Sequence, residues 1–135
     1  MKKKLCFTLI EILVVATIIG LLAAAASISY SVLSKQSRDS RRKTDLEQIR
    51  SALEMYRSNN DNYPTDLNGL TTPVVYLQKI PQDPKSPQYS YAYLYISNSD
   101  YTIGAYLESA STTCQQVLVC GAANCNYCLG PFGQK

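Results

Sequence analysis

Histidine is absent from all 135 residues, and tryptophan is absent with it. Without histidine the usual neutral-pH general base is gone, and so are the His-containing nucleophilic triads and His-bearing zinc sites. Charge of one sign is also scarce. Thirteen Lys plus Arg face ten Asp plus Glu, and the whole surplus is the tripeptide Lys2, Lys3, Lys4. A neutral body has no global field for nucleic acid or anionic lipid, so neither is expected as a partner without a local patch. No glycine or proline interrupts the stretch between Gly20 and Pro64. One helix can therefore run from the apolar N-terminal segment to about Ser58, roughly 50 residues and ~78 Å long.

Residues 7–33, FTLIEILVVATIIGLLAAAASISYSVL, are apolar, small or weakly polar apart from Glu11. As a helix they extend roughly 40 Å, against a hydrocarbon core of about 30 Å. Lys2 to Lys4 precede the run and no basic residue follows until Lys35, which places the N-terminus in the cytoplasm and the remainder outside. An ordinary secretory signal would share the basic start and would be cut after Ala24-Ala25-Ala26, leaving Ser27 or a neighbour as the N-terminus. A plain anchor is the second alternative. Neither has a use for Glu11, a carboxylate that is costly inside an apolar span. A cut between Cys6 and Phe7 gives it one, because the new α-amine of Phe7 is a cation four residues away.

Lys-Lys-Lys-Leu-Cys followed by Phe7-Thr8-Leu9-Ile10-Glu11-Ile12-Leu13-Val14-Val15 resembles the class III signal of type IV prepilins and type II secretion pseudopilins. The resemblance implies cleavage between Cys6 and Phe7 by a membrane-embedded prepilin peptidase, N-methylation of Phe7, and an assembly role for Glu11. Gly20 falls where the family often has Gly. Cys6 stands where the family usually has Gly, and Ile28 where many relatives have Pro. The implied fold is α+β and pilin-like: a long N-terminal helix, membrane-embedded in its first half, packed on a small antiparallel sheet, with a cysteine-rich C-terminal loop. The implied division is 1–6 leader, 7–33 transmembrane and filament-core helix, and 34–135 extracytoplasmic head.

Within the head, residues 34–58 carry Leu46, Ile49, Leu53 and Tyr56 on one helical stripe. The basic cluster Arg38, Arg41, Arg42 and Lys43 reads as an exposed ion-paired face rather than a binding patch. Lys35/Asp39, Asp39/Lys43, Arg41/Asp45, Lys43/Glu47 and Arg50/Glu54 are each four apart. Residues 59–88 hold five prolines and read as a connecting loop. Its segment Tyr76 to Pro84 is similar to the passage before the sheet in the major pseudopilin. Residues 89–108 read as a β-hairpin turning at Asn98-Ser99. Tyr89, Tyr91, Tyr93 and Tyr95 lie on one face of its first strand. Leu94 and Ile96 lie on the other, and are expected to pack with Ile103 and Leu107 on the helical stripe. The tyrosine row is expected to pack beneath the Pro-rich loop, with a stacked ligand as the alternative.

Residues 109–135 hold Cys114, Cys120, Cys125 and Cys128. Cys125-x-x-Cys128 is half of a zinc spacing, but Cys114-x5-Cys120 is not the other half. In an extracytoplasmic tail these four read as two disulfides, with all three pairings open. Type IV pilins often close this region with a disulfide, whereas the major pseudopilin carries a calcium loop. Only Glu108 is acidic after Asp100, so neither calcium nor any other metal or cofactor is expected. The chain thus reads as a filament subunit, not an enzyme, located in the inner membrane as a single-pass protein and then in a filament. The resemblance implies as partners other copies of the chain, prepilin peptidase, an inner-membrane platform protein and an assembly ATPase. A surface pilus is the first reading and a type II secretion pseudopilus the alternative; a secreted binding module is the second alternative.

Overall fold

A computed structural model of the chain describes residues 8–110 and 113–135, the side chains of 27–29 excepted. The chain divides after Lys35 into two units. Helix α1 runs over Leu9–Asn60. In the first unit its described large apolar side chains, among them Leu9, Ile10, Leu21, Leu22 and Leu33, are exposed, and the helix is long and apolar enough to cross a membrane. It ends two residues beyond the expected Ser58, where Asp61 takes a left-handed φ of 59° and donates its N–H to the Arg57 carbonyl at 2.8 Å. Asp and Asn accept that conformation more readily than other non-Gly residues, so the Asn-rich stop Asn59-Asn60-Asp61-Asn62 is a C-cap.

In the second unit a four-stranded antiparallel sheet has the order β1-β2-β3-β4, comprising β1 Ala92–Ser97, β2 Asp100–Ala105, β3 Tyr127–Gly130 and β4 Gly133–Gln134. The hairpin turns at Asn98-Ser99 as the sequence predicts, although β1 begins at Ala92. Strands β3 and β4 come from the cysteine tail expected to be loop. Ile103 pairs with Leu129 and Gly104 with Cys128. The Pro-rich connection contains one short 3₁₀ turn, Leu67–Leu70, capped by the Asp66 carboxylate accepting the Asn68 N–H.

Leu46, Ile49, Ala52 and Leu53 of α1 are buried against Tyr101, Ile103, Ala105 and Leu129 of the sheet and Tyr63 and Leu70 of the loop. Each fully buried large side chain contributes about 1.5–3 kcal/mol. The expected facing of β1 is reversed. Tyr91, Tyr93 and Tyr95 lean on this core, while Leu94 and Ile96 are 41% and 39% exposed. The hydroxyls explain the choice. Tyr91 donates to Asp45 of the helix at 2.6 Å and Tyr93 to the Pro64 carbonyl of the loop at 2.5 Å. Each ring is thus buried with its polar end satisfied. Burial, and for Tyr91 the neighbouring Asp45 carboxylate, pushes both phenols well above their ordinary value. These tyrosines pack under the loop as expected, and against the helix as well.

Strand β2 is covered on both faces. Tyr101, Ile103 and Ala105 face the helix, and on the reverse face a second cluster forms from Leu118, Cys120, Cys125 and Cys128. A Cβ on Gly104 would lie 3.0 Å from both Cβ and Sγ of Cys125, so only glycine lets the tail approach the sheet this closely. Gly104→Val is expected to destabilise the head by ~1–3 kcal/mol through overpacking. Urea unfolding of the oxidised chain in detergent, followed by tyrosine near-UV circular dichroism, measures it. Ten of the eleven tyrosines lie after Lys35, so the signal reports the head; an unchanged midpoint would mean the tail does not pack on β2.

Candidate assembly helix and the buried charge cluster of the head

Thr8 opens α1. The Glu11 N–H donates to the Thr8 carbonyl at 3.1 Å and to its Oγ1 at 3.3 Å. Thr-x-x-Glu is the spacing of a capping box, and an acidic side chain in the first turn also complements the helix dipole. Glu11 is exposed, among exposed Leu9, Ile10, Ile12 and Leu13. Cys6 and Phe7, the expected cleavage and methylation positions, lie outside the described residues.

In the head, the basic cluster is not the exposed ion-paired face that the four-residue spacings suggest. Of those five pairs the described structure forms Arg41–Asp45, at 4.0 Å. Arg42 is fully buried. Its Nε and Nη2 donate to the two Asp83 oxygens at 2.7 and 3.0 Å, and Nη1 donates to Asp39 at 2.8 Å and to Glu108 at 3.0 Å. Arg38 reaches Glu108 through two further bonds, at 2.7 and 2.8 Å, and Lys85 reaches it at 2.8 Å. Asp39 in turn accepts the N–H groups of Glu108 and Ser109 at 2.9 and 2.8 Å. Three cations and three carboxylates from the helix, the loop and the segment after β2 therefore satisfy one another, which is the condition under which charge can be buried. The clue was in the sequence: Arg42 and Asp39 continue the Leu46/Ile49/Leu53 stripe backwards at spacings of four and three. Arg38 and Arg42 are thereby committed to carboxylates rather than offered to phosphates.

The Arg38 guanidinium, with Lys85 and Arg42, holds Glu108 far below the usual carboxylate range against the effect of burial. For Asp39 burial acts upward, but the N–H groups of Glu108 and Ser109 and the Arg42 guanidinium outweigh it and the net shift is downward.

The four expected cysteines are all brought together, as Cys114–Cys128 and Cys120–Cys125. Cys128 stands on β3 and Cys125 just before it, where the chain bends, and both sulfurs lie against Gly104 without being bonded to each other. Among the described residues no group of side chains is placed to hold a metal ion.

A spanning-length apolar helix that continues into an α+β head with a stapled C-terminal segment is the architecture of the pilin superfamily. Residues 1–27 match the prokaryotic N-terminal methylation motif, and residues 31–109 match the family described as type II secretion system (T2SS), protein G. The chain is 30% identical over 105 residues to the type II secretion system core protein G of Vibrio cholerae, covering 67% of this chain and 72% of that one. It is 35% identical over 100 residues to the Pseudomonas aeruginosa core protein G, covering 63% and 70%. To that of Escherichia coli K12 it is 31% identical over 98 residues, covering 62% and 68%. No solved structure matches. The chain belongs to the type II secretion system protein G family. Of the two filament readings, these matches favour the secretion-system one over the surface pilus. Neither family match reaches the cysteine tail beyond residue 109.

The depressed Glu108 and Asp39 set the acid limb of stability. Their contribution is fully present above the ordinary values of 4.5 and 3.8 and is lost as pH falls below them toward the folded values. Head stability is expected to decline steadily below about pH 4.5 by this linkage. Glu108→Gln should lower stability at neutral pH and flatten that decline. Urea midpoints of both chains across the acid range measure it.

Proposed function

We propose that the chain is a structural subunit of a type II secretion pseudopilus. It is made as an inner-membrane protein with its N-terminus in the cytoplasm, cut between Cys6 and Phe7, N-methylated at Phe7, and polymerised through the apolar half of α1. The observation that carries this reading is the joint match of residues 1–27 and 31–109, with Glu11 standing exposed on the apolar helix. Glu11 is the single acidic residue between Met1 and Ser34. In a filament core of low dielectric it supplies the counter-charge for the Phe7 amine of a neighbouring copy, an attraction much stronger there than in water. In the unassembled chain its place in the first helical turn keeps the span insertable.

The chain's part in this is mechanical. ATP use falls to a separate cytoplasmic motor and cleavage to prepilin peptidase, with an inner-membrane platform protein receiving the subunits.

Mass analysis of the mature chain is expected to find a methylated Phe7 terminus. A terminus near Ser27, or an uncut Met1, would remove the proposal. Replacing Glu11 by Gln separates assembly from local helix structure, because Gln serves a capping box as Glu does. Glu11→Gln should still be inserted and cut, with a sharply reduced ratio of sheared filament to membrane-bound processed chain. A wild-type ratio would make Glu11 a capping residue and nothing more.

A further inference from the structure

Two disulfides from the tail end on one point of the sheet. A Cβ on Gly104 would lie 3.0 Å from Cys125 Sγ and 3.1 Å from Cys128 Sγ, so these two sulfurs are separated by no more than the sum of those distances. Gly104 itself places no side chain near them. They belong to different bridges, Cys120–Cys125 and Cys114–Cys128, yet lie three residues apart in Cys125-Asn126-Tyr127-Cys128. Exposure differs sharply among the four. Cys120 and Cys128 are 0% exposed and Cys125 5%, whereas Cys114 is half-buried at the rim of the cluster.

From this placement we infer that Cys114 is a thiol-modification site and that Cys125-x-x-Cys128 relays the exchange into the buried bridge. An external thiolate attacks Cys114 Sγ. A mixed disulfide forms there, the Cys114–Cys128 bond breaks, and Cys128 leaves as a thiolate. That thiolate, held on β3 beside Cys125, attacks Cys125 Sγ. A Cys125–Cys128 bond forms, the Cys120–Cys125 bond breaks, and Cys120 carries away the electron pair. The number of disulfides is conserved: two bridges and one external thiolate become one bridge, one mixed disulfide and one Cys120 thiolate. No other oxidant or reductant is needed, and return of the Cys120 thiolate reverses the sequence. The consequence is structural. The bridge spanning fourteen residues gives way to a local one, so the segment around Cys114 is released from β3 while the tail remains fastened beside Gly104. The substrate class is a thiol, free or carried by a thiol–disulfide oxidoreductase, and the relay is independent of filament assembly.

The test treats the full oxidised chain in detergent with reduced glutathione, then quenches with acid and alkylates. No Lys or Arg stands between Lys85 and Lys135, so chymotrypsin and thermolysin replace trypsin for mapping by mass spectrometry. The expected species carries glutathione on Cys114, a Cys125–Cys128 bridge and an alkylated Cys120. Glutathione first on another cysteine, an alkylated Cys128 beside an intact Cys120–Cys125 bridge, or no adduct before global reduction would each overturn the inference. The Cys114→Ser chain starts the relay from its second step. It should be isolated with Cys125 bonded to Cys128 and Cys120 open to alkylation; retention of Cys120–Cys125 with Cys128 alone alkylated would contradict the relay.

Discussion

A guanidinium fully withdrawn from water organises the head. Arg42 carries a desolvation cost of several kcal/mol, and four hydrogen bonds to Asp83, Asp39 and Glu108 offset it. Those carboxylates come from three separate pieces of chain: helix α1, the end of the Pro-rich loop and the segment after β2. Ordering any one of them therefore requires the other two. Burial and the three carboxylates act on Arg42 in opposite directions; the carboxylates prevail and its protonated form is favoured more than for a free arginine. A single charge thus fixes where the loop returns to the helix, and the apolar stripe from Leu46 onward packs in the frame that results.

Periodicity made much of this legible. The Leu46/Ile49/Leu53/Tyr56 stripe, the hairpin turn at Asn98-Ser99 and the Asn-rich stop follow from local rules that tertiary packing did not override. The departures from those rules share a cause, which is that a polar atom with a partner need not lie at the surface. Arg42 occupies a core position of the stripe although its neighbours Arg41 and Lys43 are exposed. The β1 tyrosines take the core face in place of Leu94 and Ile96, because a phenol with a partner for its hydroxyl buries a large apolar ring without stranding its polar end.

The tail was the least legible part. A cysteine-rich loop was expected there, yet Tyr127–Gly130 and Gly133–Gln134 complete the sheet. Cysteine spacing left three pairings open, and what decides among them is nonlocal: Cys128 is placed by its register opposite Gly104, which no count along the chain reveals. This segment also lies beyond the residues matched to the protein G family. It gives the chain a third layer, helix on one side of β2 and stapled tail on the other.

The proposed assembly rests on the opposite extreme of the chain, where one carboxylate stands on the apolar half of α1. The buried charges of the head are satisfied within the head, whereas Glu11 is proposed to be satisfied only by another copy. The most direct measurement is a cryo-electron-microscopy reconstruction of filaments sheared from cells that overproduce the chain together with its assembly apparatus. The account predicts a helical polymer with the apolar half of α1 at its axis and the Glu11 carboxylate within hydrogen-bonding reach of the Phe7 nitrogen of a neighbouring copy. A polymer in which Glu11 faces away from every N-terminus would contradict it.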